Sequence, residues 1–192
     1  GVSATSPETY AWLLGSTHRV NVSSPIPIGS DARYVWVSWS DGGTIEHEFV
    51  ADADMTLTAS FQKQFRSRVA PNPAGVEVLV DNASFTDAAS FWWDDGSVHW
   101  VEAPSPQYVA ADRRYIWVSW SDGGTQAHAV SADRAINVTA TFVREDSILI
   151  TTDPGSLEYR FDGVGYQGPR TFWLSPGTYH SVYTPSLQAG TP

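Results

Sequence analysis

The sequence predicts an all-β chain of short-stranded sandwiches. Three observations carry that expectation. Apolar and polar residues alternate with a period of two over several stretches, the mark of strands with one wet face. Turn-forming Gly, Pro, Asn and Asp punctuate the chain at short intervals. Long stretches of sequence then return in strict register, so a single strand pattern is used more than once.

The recurrence sets the organisation. Arg33-Tyr34-Val35-Trp36-Val37-Ser38-Trp39-Ser40-Asp41-Gly42-Gly43-Thr44 returns as Arg114-Tyr115-Ile116-Trp117-Val118-Ser119-Trp120-Ser121-Asp122-Gly123-Gly124-Thr125. The offset is 120 − 39 = 81. It also carries His47 onto His128, Phe61 onto Phe142, Tyr10 onto Phe91, Trp12 onto Trp93, Gly15 onto Gly96 and His18 onto His99. A second step reaches Phe172, Leu174, Gly177 and His180, and Pro104-Ser105 returns as Pro185-Ser186. One complete unit spans 66–146. It is flanked by a partial unit at 1–65, without the first hairpin, and another at 147–192, without the second half.

Each element follows from local pattern. Met55, Leu57, Ala59 and Phe61 alternate with Thr56, Thr58 and Ser60, a half-buried strand. The turn Asn72-Pro73-Ala74-Gly75 leads into a strand at 76–80. Residues 91–93, the turn Asp94-Asp95-Gly96 and residues 98–103 form a hairpin. Residues 115–120 form a strand closed by Asp122-Gly123-Gly124, whose glycines supply positive φ, and 128–130 start the return strand. Ile136, Val138, Ala140 and Phe142 alternate with Asn137, Thr139 and Thr141. Residues 147–152, the turn Asp153-Pro154-Gly155 and residues 157–162 repeat the first hairpin. No stretch shows helical periodicity. About seven short strands per unit then predict tandem immunoglobulin-like β-sandwich repeats with an 81-residue period.

Composition excludes several classes. The chain has 192 residues, 42% hydrophobic and 17% charged, which suits neither a disordered tail nor a coiled coil. No apolar run approaches the roughly 18 residues of a membrane helix. A net charge of −10 with a single lysine, Lys63, leaves no basic surface for nucleic acid. The absence of Cys removes disulfides, thiolate metal sites and cysteine nucleophiles. No cofactor is expected.

The segment Trp117-Val118-Ser119-Trp120-Ser121-Asp122-Gly123-Gly124, with His128 and Thr139-Ala140-Thr141-Phe142 downstream, resembles the internalin-B-type β-repeats of secreted and cell-surface proteins. The half-unit from Ile148-Leu149-Ile150-Thr151-Thr152-Asp153-Pro154-Gly155 to Leu174-Ser175-Pro176-Gly177-Thr178-Tyr179-His180 is similar to PEGA-type surface modules. The resemblance implies an extracellular or cell-surface spacer, stalk, adhesive or accessory domain. It brings no catalytic residues, so no enzyme is expected.

Four residue sets are candidates for chemistry. His18, His99 and His180 form one column, and His47 and His128 another, which raises a two-His metal site. His99 shares its strand face with Val101 and Ala103, and His18 shares its face with Val20 and Val22, so the expectation is a structural histidine satisfied by a carbonyl, with no metal. Asp94-Asp95, Asp52 with Asp54, and Asp41 or Asp122 suit calcium or glycosidase chemistry by residue type. None has EF-hand spacing, and Asp41 and Asp122 read as turn formers. No GxSxG nucleophile motif occurs.

Among the aromatics, Phe91 and Trp93 face inward with Tyr10, Trp12, Phe172 and Leu174. Trp36, Trp92, Trp100 and Trp117 are then outer rings, for a protein interface or for stacking on a glycan. Trp92 is replaced by Ala11 and Trp173, and Trp100 by Arg19 and Ser181, which favours contacts between units or subunits. Asn21, Asn82 and Asn137 each begin an N-x-[ST] sequon, candidate glycosylation sites in an exported protein. Partial units leave strand edges open, and open edges recruit strands. The expected partners are therefore copies of the chain itself, in a head-to-tail filament or stalk, or neighbouring repeats. The alternative is a carbohydrate-binding or adhesive accessory module.

Overall fold

A computed structural model describes residues 7–153 and 155–185; Pro154 of the turn at 153–155 and Ser186 of the Pro185-Ser186 recurrence lie outside them. Among the described residues the chain is all strand, turn and loop, with no helix. The strands are β1 (Ser16–Asn21), β2 (Ile26–Ile28), β3 (Ala32–Trp39), β4 (Glu46–Ala51) and β5 (Ala59–Asn72). They continue with β6 (Val78–Val80), β7 (Ala83–Phe85), β8 (Ala89–Asp94), β9 (Val98–Glu102), β10 (Gln107–Ala110), β11 (Arg113–Trp120) and β12 (Ala127–Ser131). Last come β13 (Asn137–Ile150), β14 (Glu158–Phe161), β15 (Val164–Gln167), β16 (Arg170–Leu174) and β17 (Val182–Tyr183).

The chain forms two compact units, one of Gly1–Ser67, Phe91–Ser97 and Ala132–Ile136, the other of Arg68–Ser90, Val98–Ser131 and Asn137–Pro192. In the first unit β1 pairs antiparallel with β4, while β2, β3 and the first half of β5 form an antiparallel run. β3 is rich in the β-branched and aromatic residues that fit a pleated, half-buried surface. Trp39, Phe49, Ala51 and Trp93 are buried. Trp39 on β3 meets His47 on β4 edge to face at 5.8 Å, joining the two sheets. Val20, Val22, Leu57 and Phe61 are only half-buried.

The second unit is more fully closed. β10, β11 and β13 are joined antiparallel, and β13 takes the second half of β5 as a parallel neighbour. A second sheet runs β12-β9-β6-β7. Trp120 meets His128 at 5.7 Å, the same bridge between sheets as in the first unit. Val69, Val78, Val101, Ala103 and Ala140 are 0% exposed, and Val138 and Phe142 are buried. A three-stranded sheet β15-β14-β17 holds Tyr159 and Phe161, and β16 pairs with the end of β13.

Pairings recur with the sequence. Ala32 faces Phe65 and Arg113 faces Asp146, and both ladders slip once, between Trp36 and Ser38 and between Trp117 and Ser119. The predicted strands at 136–142 and 147–152 prove to be one 14-residue strand, β13. Arg113 and Arg114 on β11 hold Asp146 and Glu145 across the ladder at 2.9 and 2.7 Å, which keeps the intervening residues extended. Asp146 pairs with Arg113 and also with Leu174, so β11 and β16 occupy opposite edges of β13. The strand predicted at 55–61 forms only from Ala59 onward in β5.

Candidate functional site

Every described histidine sits in a hydrogen-bonded staple. The tight Asp-Gly-Gly turn after β3 aims Asp41 back at His47, and the turn after β11 aims Asp122 at His128. His47 Nδ1 lies 2.7 Å from the Thr44 carbonyl and Nε2 lies 2.8 Å from Asp41 Oδ2. The His128 distances are 2.8 Å to the Thr125 carbonyl and 3.0 Å to Asp122 Oδ2. Carbonyl and carboxylate oxygens only accept, so each ring has an acceptor beside both of its nitrogens. The other carboxylate oxygen accepts the N–H of Gly43 or Gly124 at 3.1 Å.

The electrostatics agree. The Gly43 N–H and the His47 ring hold the Asp41 carboxyl below its ordinary range. Asp41 and the Thr44 carbonyl raise His47. For Asp122, burial works against the charge, but His128 and the Gly124 N–H outweigh it and the net direction is down. The turn-former expectation for Asp41 and Asp122 describes half of their work, since the carboxylate also clamps the histidine.

The other column uses a different carboxylate. His99 Nδ1 is 2.7 Å from Asp81 Oδ2, and the Trp100 N–H donates to Asp81 Oδ1. His180 Nδ1 is 2.6 Å from Asp162 Oδ2, and the Ser181 N–H donates to Asp162 Oδ1. Burial opposes the Asp81 charge, yet His99 and the Trp100 N–H bring its pKa down. His180 and the Ser181 N–H do the same for Asp162. His99 is expected to meet a backbone carbonyl; its Nδ1 takes the Asp81 carboxylate. His18 stacks on Trp12 at 4.0 Å and meets Ser16 Oγ at 2.7 Å.

The Thr178 hydroxyl donates to the Ser175 carbonyl at 2.7 Å and its oxygen lies 2.8 Å from His180 Nε2, so Thr178, His180 and Asp162 form one hydrogen-bonded chain. Among the described residues no three His, Asp or Glu side chains converge as a metal site.

The four tryptophans divide. Trp100 on β9 is 47% exposed, while Trp36, Trp92 and Trp117 are half-buried. The guanidinium of Arg33 lies 4.3 Å from the Trp92 ring, and that of Arg114 lies 4.4 Å from Trp173, the counterpart of Trp92. The Trp36 and Trp117 Nε1 atoms are buried without a partner. Arg33 covers a face of the Trp92 ring, and Trp100 is the most exposed of these four, which suits it best to stacking on a sugar. Asn21, Asn82 and Asn137 are all exposed. Asn82, with φ 66°, follows Asp81, with φ 50°, in the hairpin turn joining β6 to β7.

Sequence reasoning passed over Asp81, Asp162 and the Arg–Trp stacks. Their signal was paired recurrence: Asp81 and His99 move together onto Asp162 and His180, as Arg33 and Trp92 move onto Arg114 and Trp173.

Fold and site together define an all-β protein fastened by His–Asp staples and Arg–Trp stacks. No family model, no curated protein and no solved structure matches the chain. Among the described residues no helix is long and apolar enough to cross a membrane.

Proposed function

We propose that the chain is a non-catalytic extracellular structural repeat protein, a filament or surface-stalk subunit that assembles head to tail by strand complementation. The reading takes it as immunoglobulin-like sandwich repeats of 81-residue period, with units at 1–65, 66–146 and 147–192. The matched ladders of β3 on β5 and of β11 on β13 support it. One observation carries the assembly: counterpart positions are unequally closed. Val101, Ala103, Val138 and Phe142 are buried, and their counterparts Val20, Val22, Leu57 and Phe61 are half-buried. Apolar area left in water forgoes roughly 25 cal/mol per Å², which a docked strand would recover. The exposed sequons at Asn21, Asn82 and Asn137 suit an exported protein.

Sedimentation velocity over a wide concentration range tests the reading. The expected result is a series of species that lengthens with concentration. A single sharp monomer boundary throughout refutes it.

A second reading, a carbohydrate-binding or adhesive accessory module, rests on the exposed ring of Trp100. It predicts glycan binding that Trp100→Ala abolishes. No binding to a glycan array at millimolar sugar removes it.

A further inference from the structure

We infer that residues 149–153 of one copy pair, in parallel, with residues 56–60 of the next copy, repeating between molecules a contact that the chain already makes within itself. The inference rests on the filament reading and names its contact surface.

The template is the β5–β13 ladder. Arg68 to Asn72 of β5 run parallel to Asn137 to Thr141 of β13, with Arg68 opposite Asn137 and Asn72 opposite Thr141. This contact seals Val69 (0% exposed), Ala70, Val138 and Ala140. The offset of 81 carries 68–72 onto 149–153 and 137–141 back onto 56–60. The chain therefore carries both halves of the interface a second time, unjoined. Leu149 is 63% exposed, Thr151 and Asp153 are exposed, and Leu57 and Ala59 are half-buried. The strand pattern shows the same difference. β13 is a strand from Asn137, where β5 lies beside it, whereas β5 is a strand only from Ala59, with 56–58 left as coil.

The hydrogen-bonding groups point the right way on both sides. Ser147 N–H donates to the Asp112 carbonyl, on the β11 side of β13. Strand alternation then turns the N–H groups of Leu149 and Thr151 to that same side, beyond the end of the β11 ladder, where no strand lies among the described residues. On the receiving side, Thr58 donates its N–H to Ser40 Oγ and its carbonyl accepts the Ser40 N–H. The backbone groups of Leu57 and Ala59 therefore face the opposite, open edge. Thr139 makes the same pair of bonds with Ser121, and its neighbours Val138 and Ala140 face β5. The donor edge of 149–153 and the acceptor edge of 56–60 are thus unlike surfaces, so the contact is heterologous and propagates without closing.

The occupant is a second copy of this chain, because its edge residues already fit one another in this register. The predicted pairs are Leu149 with Thr56, Thr151 with Thr58, and Asp153 with Ser60.

The chain has no Cys, so a double variant reports the register directly. Parallel neighbours sit about 4.8 Å apart, within the Cα separation a disulfide spans. Thr58→Cys/Thr151→Cys, at two exposed positions, should yield a covalent ladder of high-mass species on oxidation. Each single variant should stop at dimer, and the shifted pair Thr58→Cys/Ile150→Cys should ladder poorly. Thr151→Pro, which removes the edge donor, should shrink the species seen by sedimentation. If native chains oligomerise but the shifted pair ladders better, this register is overturned while the filament reading stands. If no oligomer forms in any variant or in the native chain, both fall together.

Discussion

Gly123 and Gly124 offer a sharp test of the His–Asp staple, because conformation and packing rank them oppositely. Gly123 has φ +82° and a Cβ there would meet nothing within 4 Å. Alanine at 123 then costs only left-handed backbone strain, of order 1 kcal/mol. At Gly124 a Cβ would lie 2.3 Å from His128 Nε2. The ring must leave, losing its contacts with Asp122 and Thr125 and its edge-to-face packing on Trp120. Two hydrogen bonds at about 1 kcal/mol each and an aromatic pair at about 1 kcal/mol give a loss of about 3 kcal/mol. For a chain of this size that is roughly 6–12 °C in Tm, read by calorimetry. In a His128→Ala background the same Gly124→Ala step should cost only a few tenths of a kcal/mol, because the obstacle is gone. The reasoning fails if Gly123→Ala is the more damaging change. It also fails if the Gly124→Ala penalty persists without the imidazole.

Further predictions follow from the same geometry. Asp41, Asp81, Asp122 and Asp162 have lowered pKa values, so their stabilisation is present above the ordinary 3.8 and is lost as pH falls through the folded values. His47 is raised, so its contribution is complete below 6.5 and is lost as pH rises through its folded value. Thermal stability should therefore peak between 3.8 and 6.5, and His47→Gln should flatten the alkaline limb of the melting profile. Val138→Ala, at a sealed position, should lower the unfolding free energy in urea by about 1–2 kcal/mol more than Ala at the wetter Leu57 lowers it in dilute monomer. Raising the concentration should increase the Leu57→Ala penalty. A double-mutant cycle on Arg114 and Trp173 should give a coupling of about 0.5–1 kcal/mol.

Much of the fold could be read from local pattern. The alternation at 136–142 and the Asp-Gly-Gly turns identified strands and corners, because side-chain period and turn chemistry are short-range properties. The continuity of β13 escaped that reading, because Val143-Arg144-Glu145-Asp146 carries no apolar alternation. Its extension depends on Arg113 and Arg114 reaching across from β11. The parallel seating of Arg68 against Asn137 escaped it too, since alternation names a strand's faces and not its neighbour. The inward histidines were legible, but the Asp81 carboxylate beside His99 depends on the pairing of β6 with β9, which brings together positions 18 apart in sequence. The partial covering of Trp36, Trp92 and Trp117 was hidden for a related reason. The face opposite the core is dry wherever a neighbouring arginine or strand covers it, as Arg33 covers Trp92.

Electron microscopy of the native, purified chain bears most directly on assembly. The account predicts unbranched fibres that lengthen with protein concentration and disperse when Thr151→Pro blocks the edge of β13. Separate, uniform particles at every concentration, in a sample whose sheets melt cooperatively, would contradict it.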